Sequence, residues 1–126
     1  MTTRHDAIAA ICEFPAVLKS SGLSIRETLS AIPYDKVRSN LTVSDLREYL
    51  RAHPGTIDSW RRYSADKRTS SGWYLVSESA WFVGYIGSDR GAVAESFDDP
   101  ATACATFILR ELDGIRARSR NSKCGG

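Results

Sequence analysis

The sequence predicts an α+β fold in which N-terminal helices pack with a three-stranded antiparallel sheet and a C-terminal helix. Residues 72–97 carry apolar side chains at the density typical of short strands separated by turns. Residues 98–118 then change to the i, i+3, i+4 spacing of an amphipathic helix. The first 68 residues contain capping motifs and breakers that are typical of short helices.

The size and composition of the chain indicate one globular domain. It has 126 residues, of which 42% are hydrophobic and 25% are charged. We expect a single domain over residues 1–118, with a helical half at 1–68, a strand–strand–strand–helix half at 72–118 and a flexible tail at 119–126. The apolar runs are too short to cross a membrane, and the N-terminus lacks the layout of a signal peptide. We therefore expect a cytoplasmic protein without membrane contacts.

The first helices are defined by a proline, a glycine and a capping motif. Pro15 lacks the N–H that a continuous helix needs, so we expect it to bend or restart the first helix. Gly22 is expected to end the segment that follows. Ser24 and Glu27 have the spacing of a capping box and open a short helix that closes before Pro33.

The rest of the helical half is predicted as a connector followed by two helices. Residues 34–40 are expected to form the connector. Thr42 opens the next helix, and the His53-Pro54-Gly55 sequence ends it, because a residue before proline avoids helical backbone angles. Thr56 is then expected to cap the helix that contains Trp60.

The second half is predicted to form three strands and a helix. The strands are predicted at residues 73–77, 81–86 and 92–97, with a tight turn at Glu78 and a glycine-flanked hairpin loop at residues 87–91. Asp98 or Asp99 is expected to cap the last helix, with Pro100 at its first position. The predicted apolar stripe of that helix, which we expect to pack on the sheet, is Ala101, Cys104, Ala105, Ile108, Leu112 and Ile115.

Aromatic residues occur in adjacent pairs on the strands, and this pattern leaves two arrangements open. Adjacent strand residues such as Trp73 and Tyr74, or Trp81 and Phe82, point to opposite faces of a sheet. One helix covers only one face. We expect the N-terminal helices to cover the second face; the alternative is that some aromatic side chains are exposed for a partner.

The residue types that usually carry chemistry do not form a recognisable constellation. Cys12, Cys104 and Cys124 have no CxxC or Cys/His spacing, and the first two lie on apolar helix faces, where we expect buried, reduced thiols. His5 and His53 have no ligand or base at a fixed spacing. Phosphate-binding loops and nucleophile elbows are absent from the sequence. We therefore predict no enzyme, no catalytic residue, no metal and no cofactor.

Residues 60–68 interleave basic and aromatic side chains, a pattern that is compatible with three roles. They could form a solvated helix face with core aromatics, a protein interface, or a nucleic-acid surface that uses phosphate contacts and base stacking. The net charge of +2 argues against a nucleic-acid partner. Residues 78–113 nevertheless carry two arginines against seven acidic residues, so this segment is locally acidic.

Residues 63–112 resemble the C-terminal half of immunity proteins from bacterial polymorphic-toxin systems, in particular those of contact-dependent growth inhibition. The residues that carry this resemblance are a Trp-rich hairpin, a strand that ends in Phe97-Asp98-Asp99, and the helix pattern Ala101, Cys104, Ala105 and Phe107. The resemblance implies a cytoplasmic, non-catalytic protein that binds one cognate toxin C-terminal domain, often a nuclease such as a tRNase, and blocks its active site. The acidic segment suits a basic toxin site, whereas the positive net charge departs from the usual acidic immunity protein.

From the predicted turns and outer faces we expect a toxin-binding interface in the second half of the chain and at the end of the preceding helix. Its predicted residues are Arg61, Tyr63, Asp66, Lys67, Arg68, Tyr74, Glu78, Asp89 and Arg90. The alternative function is a nucleic-acid-binding transcriptional regulator that uses the helix over residues 60–68.

Overall fold

A computed structural model describes residues 4–32, 34–66, 72–87 and 91–125 and has the predicted α+β fold. The helices are α1 (Arg4–Cys12), α2 (Phe14–Ser21), α3 (Ile25–Ala31), α4 (Tyr34–Val37), α5 (Val43–Ala52), α6 (Pro54–Asp66) and α7 (Pro100–Gly125), with a 3-10 turn at Arg38–Asn40. The strands are β1 (Gly72–Ser77), β2 (Trp81–Gly87) and β3 (Gly91–Phe97). They form one antiparallel sheet in the order β1-β2-β3.

Local capping signals set the helix ends where the sequence predicts them. The backbone N–H of Glu27 donates to the Ser24 hydroxyl at 3.1 Å, and the Ser24 N–H donates to the Glu27 carboxylate at 3.3 Å. Thr42 and Asp45 form a second capping box at the start of α5. Gly22 ends α2 with a φ of 72°, a left-handed conformation that favours glycine.

Three segments differ from the sequence predictions. The predicted connector at 34–40 contains α4 and the 3-10 turn, and Tyr34, which is 1% exposed, anchors it in the core. Helix α6 begins at Pro54, so Thr56 lies inside its first turn and its hydroxyl donates to Glu13 at 3.0 Å instead of capping the helix. The segment predicted as a tail at 119–126 is helical as far as Gly125, and α7 contains no proline after Pro100 at its first position.

Helix α7 lies between the sheet and the N-terminal helices. Leu75 of β1 and Val83 of β2 are both 1% exposed and belong to the same core as α7. On its other side, α7 contacts α5, α3 and α6, and the residues of the predicted stripe are all buried. Ala103, Phe107 and Leu109 are buried as well, so the apolar surface of α7 is wider than one stripe.

The wide apolar surface of α7 decides where the N-terminal helices pack. The expectation that they cover the second face of the sheet is wrong, because, apart from α6, they pack on α7 and on one another. Helix α6 alone among them has extensive contacts with the sheet, and it lies along β1. There the Leu75 N–H donates to the Ser64 hydroxyl at 2.7 Å. Within the described residues, the face of the sheet opposite α7 therefore has no covering layer.

Candidate interaction surface

The outer sheet face, defined here as Tyr74, Val76, Phe82, Ala94 and Ser96, is the candidate functional site. Side chains alternate between the two faces along each strand. Because Leu75 and Val83 point into the core, their strand neighbours point away from it. The strand register then places Ser96 of β3 beside Phe82, and Ala94 beside Gly84 of β2.

The outer sheet face is only partly shielded from solvent. Tyr74, Val76 and Phe82 are partly exposed, and they stand outside the set of side chains that pack against the core. Ala94 and Ser96 are exposed. Gly84 lies between Tyr74 and Ala94 in the register, so the middle of the face has no side chain of its own. The result is a shallow apolar surface with two aromatic side chains next to small residues.

Acidic residues stand at one end of this sheet. Glu78 follows β1 directly, and Asp98 and Asp99 follow β3; these strand ends are adjacent because Trp81 pairs with both Ser77 and Phe97. Glu78 and Asp98 are exposed. Asp99 instead caps α7 by accepting hydrogen bonds from Thr102. These hydrogen bonds lower the pKa of the Asp99 carboxyl, and burial opposes them with a smaller effect. Glu78 and Asp98 are thus the acidic groups at this end that a partner could contact.

The structure describes the side chains of only some residues of the predicted interface. Tyr74 lies on the outer sheet face, and Glu78 lies at its acidic end. Arg61 is exposed on α6, where its Nε donates to Asp58 at 3.1 Å. Asp66 is the last residue of α6, and its side chain lies outside what the structure describes. Lys67, Arg68, Asp89 and Arg90 lie outside the described residues.

Tyr63 is a core residue, and the expectation that it lies on an outer face is wrong. It is 9% exposed, and its hydroxyl donates to the Glu111 carboxylate at 2.6 Å. Its ring packs edge-on against Phe14 and Trp60. Trp60 is fully buried, and its indole N–H donates to the Cys12 carbonyl at 2.8 Å. The aromatic residues of segment 60–68 therefore build the core, which corresponds to the first of the three roles considered for this segment.

The two described thiols are buried and poorly suited to nucleophilic attack. Burial, with a smaller contribution from Glu13, raises the pKa of Cys12 to about 12. Burial also raises the pKa of Cys104 well above its ordinary value. Both thiols are therefore protonated at neutral pH. Because the thiolate is the nucleophilic form, neither side chain is suited to attack a substrate.

The two histidines line one shallow groove between α1 and α5. The groove has a volume of about 370 Å³, and Asp45, Glu48 and Tyr49 also line it. The His53 ring stacks on Tyr49 with a centroid distance of 4.1 Å. Among the residues that the structure describes, these side chains do not form a group of three or more that could hold a metal ion.

Two polar clusters join α7 to the helical half of the chain, and sequence reasoning missed both. Tyr63 and Glu111 form the first. In the second, Asp113 on α7 accepts hydrogen bonds from the Tyr34 hydroxyl at 2.6 Å and from two nitrogens of Arg38 at 2.8 Å. Burial alone would raise the pKa of Asp113, but the hydrogen bonds from Arg38 and Tyr34 outweigh it and lower that pKa. The partners in each cluster are at least 48 residues apart in sequence, so no local pattern reveals them.

Sequence reasoning also missed most of the outer sheet face. Val76, Phe82, Ala94 and Ser96 were not among the predicted interface residues. The alternation of the strands was the available signal, since it separates Tyr74 from Trp73 and Phe82 from Trp81. The pattern does not say which face the helices leave open.

Comparisons of this chain with family models, with curated proteins and with solved structures gave no match. In the described part of the chain, the helices do not combine the length and the apolar character that crossing a membrane requires.

Proposed function

We propose that this protein is a non-catalytic immunity protein that binds a cognate toxin C-terminal domain through its outer sheet face and blocks the toxin's active site. The observation that carries the proposal is the absence of a covering layer over Tyr74, Val76 and Phe82 within the described chain. Uncovered apolar surfaces of this kind commonly mark protein interfaces, where aromatic side chains contribute most of the binding energy. The proposed site of action is the cytoplasm.

The surroundings of the outer sheet face fit a partner with basic groups. Glu78 and Asp98 are exposed at one end of the sheet, within a segment that carries an excess of acidic residues. Charges at the rim of an interface mainly accelerate association, whereas buried aromatic contacts slow dissociation. Tyr74 and Phe82 are thus the proposed anchors, and the acidic end directs the encounter. A nuclease domain, whose substrate is an anion, would present such basic groups.

Three features support binding over the other function classes. The buried thiols Cys12 and Cys104 are held in their protonated, unreactive form. Trp60 and Tyr63, the aromatic residues that a regulator would use to stack on bases, are in the core. Arg61 and Arg62 of the same helix both form ion pairs with Asp58, which reduces the positive charge available for phosphate contacts.

The decisive experiment tests the toxin domain that this proposal requires, sought in the reading frame next to this gene. Cells that produce that domain should survive only when this protein is produced with it, and the two purified proteins should form a complex. Tyr74→Ala and Phe82→Ala should each weaken the complex roughly thirtyfold, the loss typical of an aromatic anchor that contributes about 2 kcal/mol.

Leu23→Ala is the matched control for these variants. Leu23 is 41% exposed at the α2–α3 junction, so its truncation also removes an exposed apolar side chain but leaves the sheet unchanged. Its affinity for the toxin should equal that of the wild type. If cells that produce both the toxin domain and this protein die, the immunity function is refuted. If Tyr74→Ala and Phe82→Ala both bind the toxin as tightly as the wild type, the interface does not include the outer sheet face.

A further inference from the structure

The two edges of the sheet differ, and only one of them is blocked by the described chain. At the β1 edge, α6 lies alongside the strand, and the Ser64 hydroxyl accepts the hydrogen bond of the Leu75 N–H. At the β3 edge, the main contacts of the described chain are with β2 and with α7 beneath the sheet. Helix α7 begins just after β3 and moves away towards β1, where Gly114 lies next to Trp73.

The register shows which backbone groups of β3 face the open edge. The Leu75 N–H points towards α6, so Leu75 and Val83 form a non-hydrogen-bonded pair. Val83 must then direct its N–H and C=O to its partner on the other side, Glu95. Because the direction alternates along a strand, the N–H and C=O of Ala94 point outward. The same alternation applies to the backbone of Ala92 and Ser96.

Strand β3 has only one of the devices that usually protect an edge, a charged residue that faces α7. Its sequence, GAVAESF, contains neither lysine nor proline, and each residue from Gly91 to Phe97 pairs with one residue of β2, so there is no bulge. Its one charged residue is Glu95, which forms an ion pair with Arg110 on α7. The charge that could repel an incoming strand is therefore partly neutralised from within the molecule.

We infer that β3 pairs antiparallel with β3 of a second copy of this chain, with Ala94 opposite Ala94 on a two-fold axis. This inference does not depend on the proposed toxin partner. In this register Ala92 lies opposite Ser96, so three facing pairs exchange six backbone hydrogen bonds. The exposed side chains at the axis, Ala94 and Ser96, are small. The strand is thus complementary to itself, and the dimer forms one six-stranded sheet with a continuous outer face.

The geometry of the axis gives a charge-exchange test at one position. Ala94→Lys and Ala94→Asp each place two like charges opposite one another, and this should weaken self-association roughly fivefold. An equimolar mixture of the two variants places opposite charges there, and it should associate at least tenfold more tightly than either variant alone. Sedimentation equilibrium over a concentration series measures all three constants, with the wild type approaching twice the chain mass of 13.9 kDa.

A second pair of variants tests the backbone contact without charge. Ala94→Pro removes the N–H at the axis and leaves the hydrogen bonds to β2 intact, so it should abolish the dimer while retaining the fold. Ala94→Ser keeps both the N–H and the small size, and it should dimerise like the wild type. If the proline variant unfolds, the association constants of the Lys variant, the Asp variant and their mixture still test the dimer.

Three results would overturn the inference. One is a wild-type protein that stays monomeric at every concentration. Another is a Lys or Asp variant that associates as tightly as the wild type, or a mixture of the two variants that associates no more tightly than either alone. The last is protection of the Ala94 and Ser96 amides from hydrogen exchange only after a different protein is added, which would assign the edge to that partner.

Discussion

Replacing Tyr63 with phenylalanine removes one oxygen atom from the core and takes from Glu111 the hydrogen bond that it accepts at 2.6 Å. Glu111 is 2% exposed, so solvent water cannot readily replace the lost donor. Leaving a buried acceptor without this bond costs about 1 to 3 kcal/mol. In a domain of this size, each kcal/mol lowers Tm by roughly 4 °C. Urea unfolding followed by tryptophan fluorescence, together with calorimetry, measures both quantities.

Two further variants isolate the hydroxyl contact. Tyr74→Phe removes the same atom from the partly exposed outer sheet face, and it should change the free energy of unfolding by less than about 0.5 kcal/mol. In a Glu111→Met background, Tyr63→Phe should cost far less than it does alone, because the acceptor is already gone. Equal losses for Tyr63→Phe and Tyr74→Phe, or an undiminished loss in the Glu111→Met background, would refute this account of the core.

Two other predictions concern the second polar cluster and a helix end. The lowered pKa of Asp113 means that its carboxylate contributes stability that is fully present above the ordinary carboxyl pKa of 3.8 and is lost as the pH falls through the lowered value. Asp113→Asn should therefore be less stable at neutral pH but lose less stability on acidification, as measured by urea unfolding between about pH 2 and 6. Gly22→Ala should lower the free energy of unfolding by about 1 kcal/mol, because Gly22 has a φ of 72°, which alanine rarely adopts. The space around its Cα is open, so the added methyl group meets no neighbour and the cost comes from the backbone conformation alone. Gly22→Asn should cost less in the same thermal melts, and equal losses would contradict this conformational explanation.

Features determined by neighbouring residues could be predicted from the sequence. The Ser24–Glu27 capping box forms as the spacing indicates, and Asp99 caps α7 before Pro100. The three strands are found within one residue of their predicted bounds, because glycines and short turns delimit them. In each case, both the signal and its physical cause lie within about four residues of sequence.

Features determined by distant residues could not be predicted in this way. Thr56 has the local sequence pattern of a helix cap, but its hydroxyl donates a hydrogen bond to Glu13, 43 residues away. Tyr63 belongs to a run of charged residues that is typical of a surface, yet Glu111 and Phe14 hold it in the core. The outer sheet face has no covering layer because α7 has a wide apolar surface, and most of the N-terminal helices pack on α7 and on one another instead of on the sheet.

The central place of α7 has a consequence for biosynthesis. The ribosome makes α1 to α6 and the three strands before the one helix that both groups need as their packing partner. Until Ile115 has left the exit tunnel, the aromatic rings of α6 and the inner side of the hairpins have no complete core to enter. The segment that precedes α7 should therefore lack a complete core until α7 emerges, and the native packing of both groups should form together at that point.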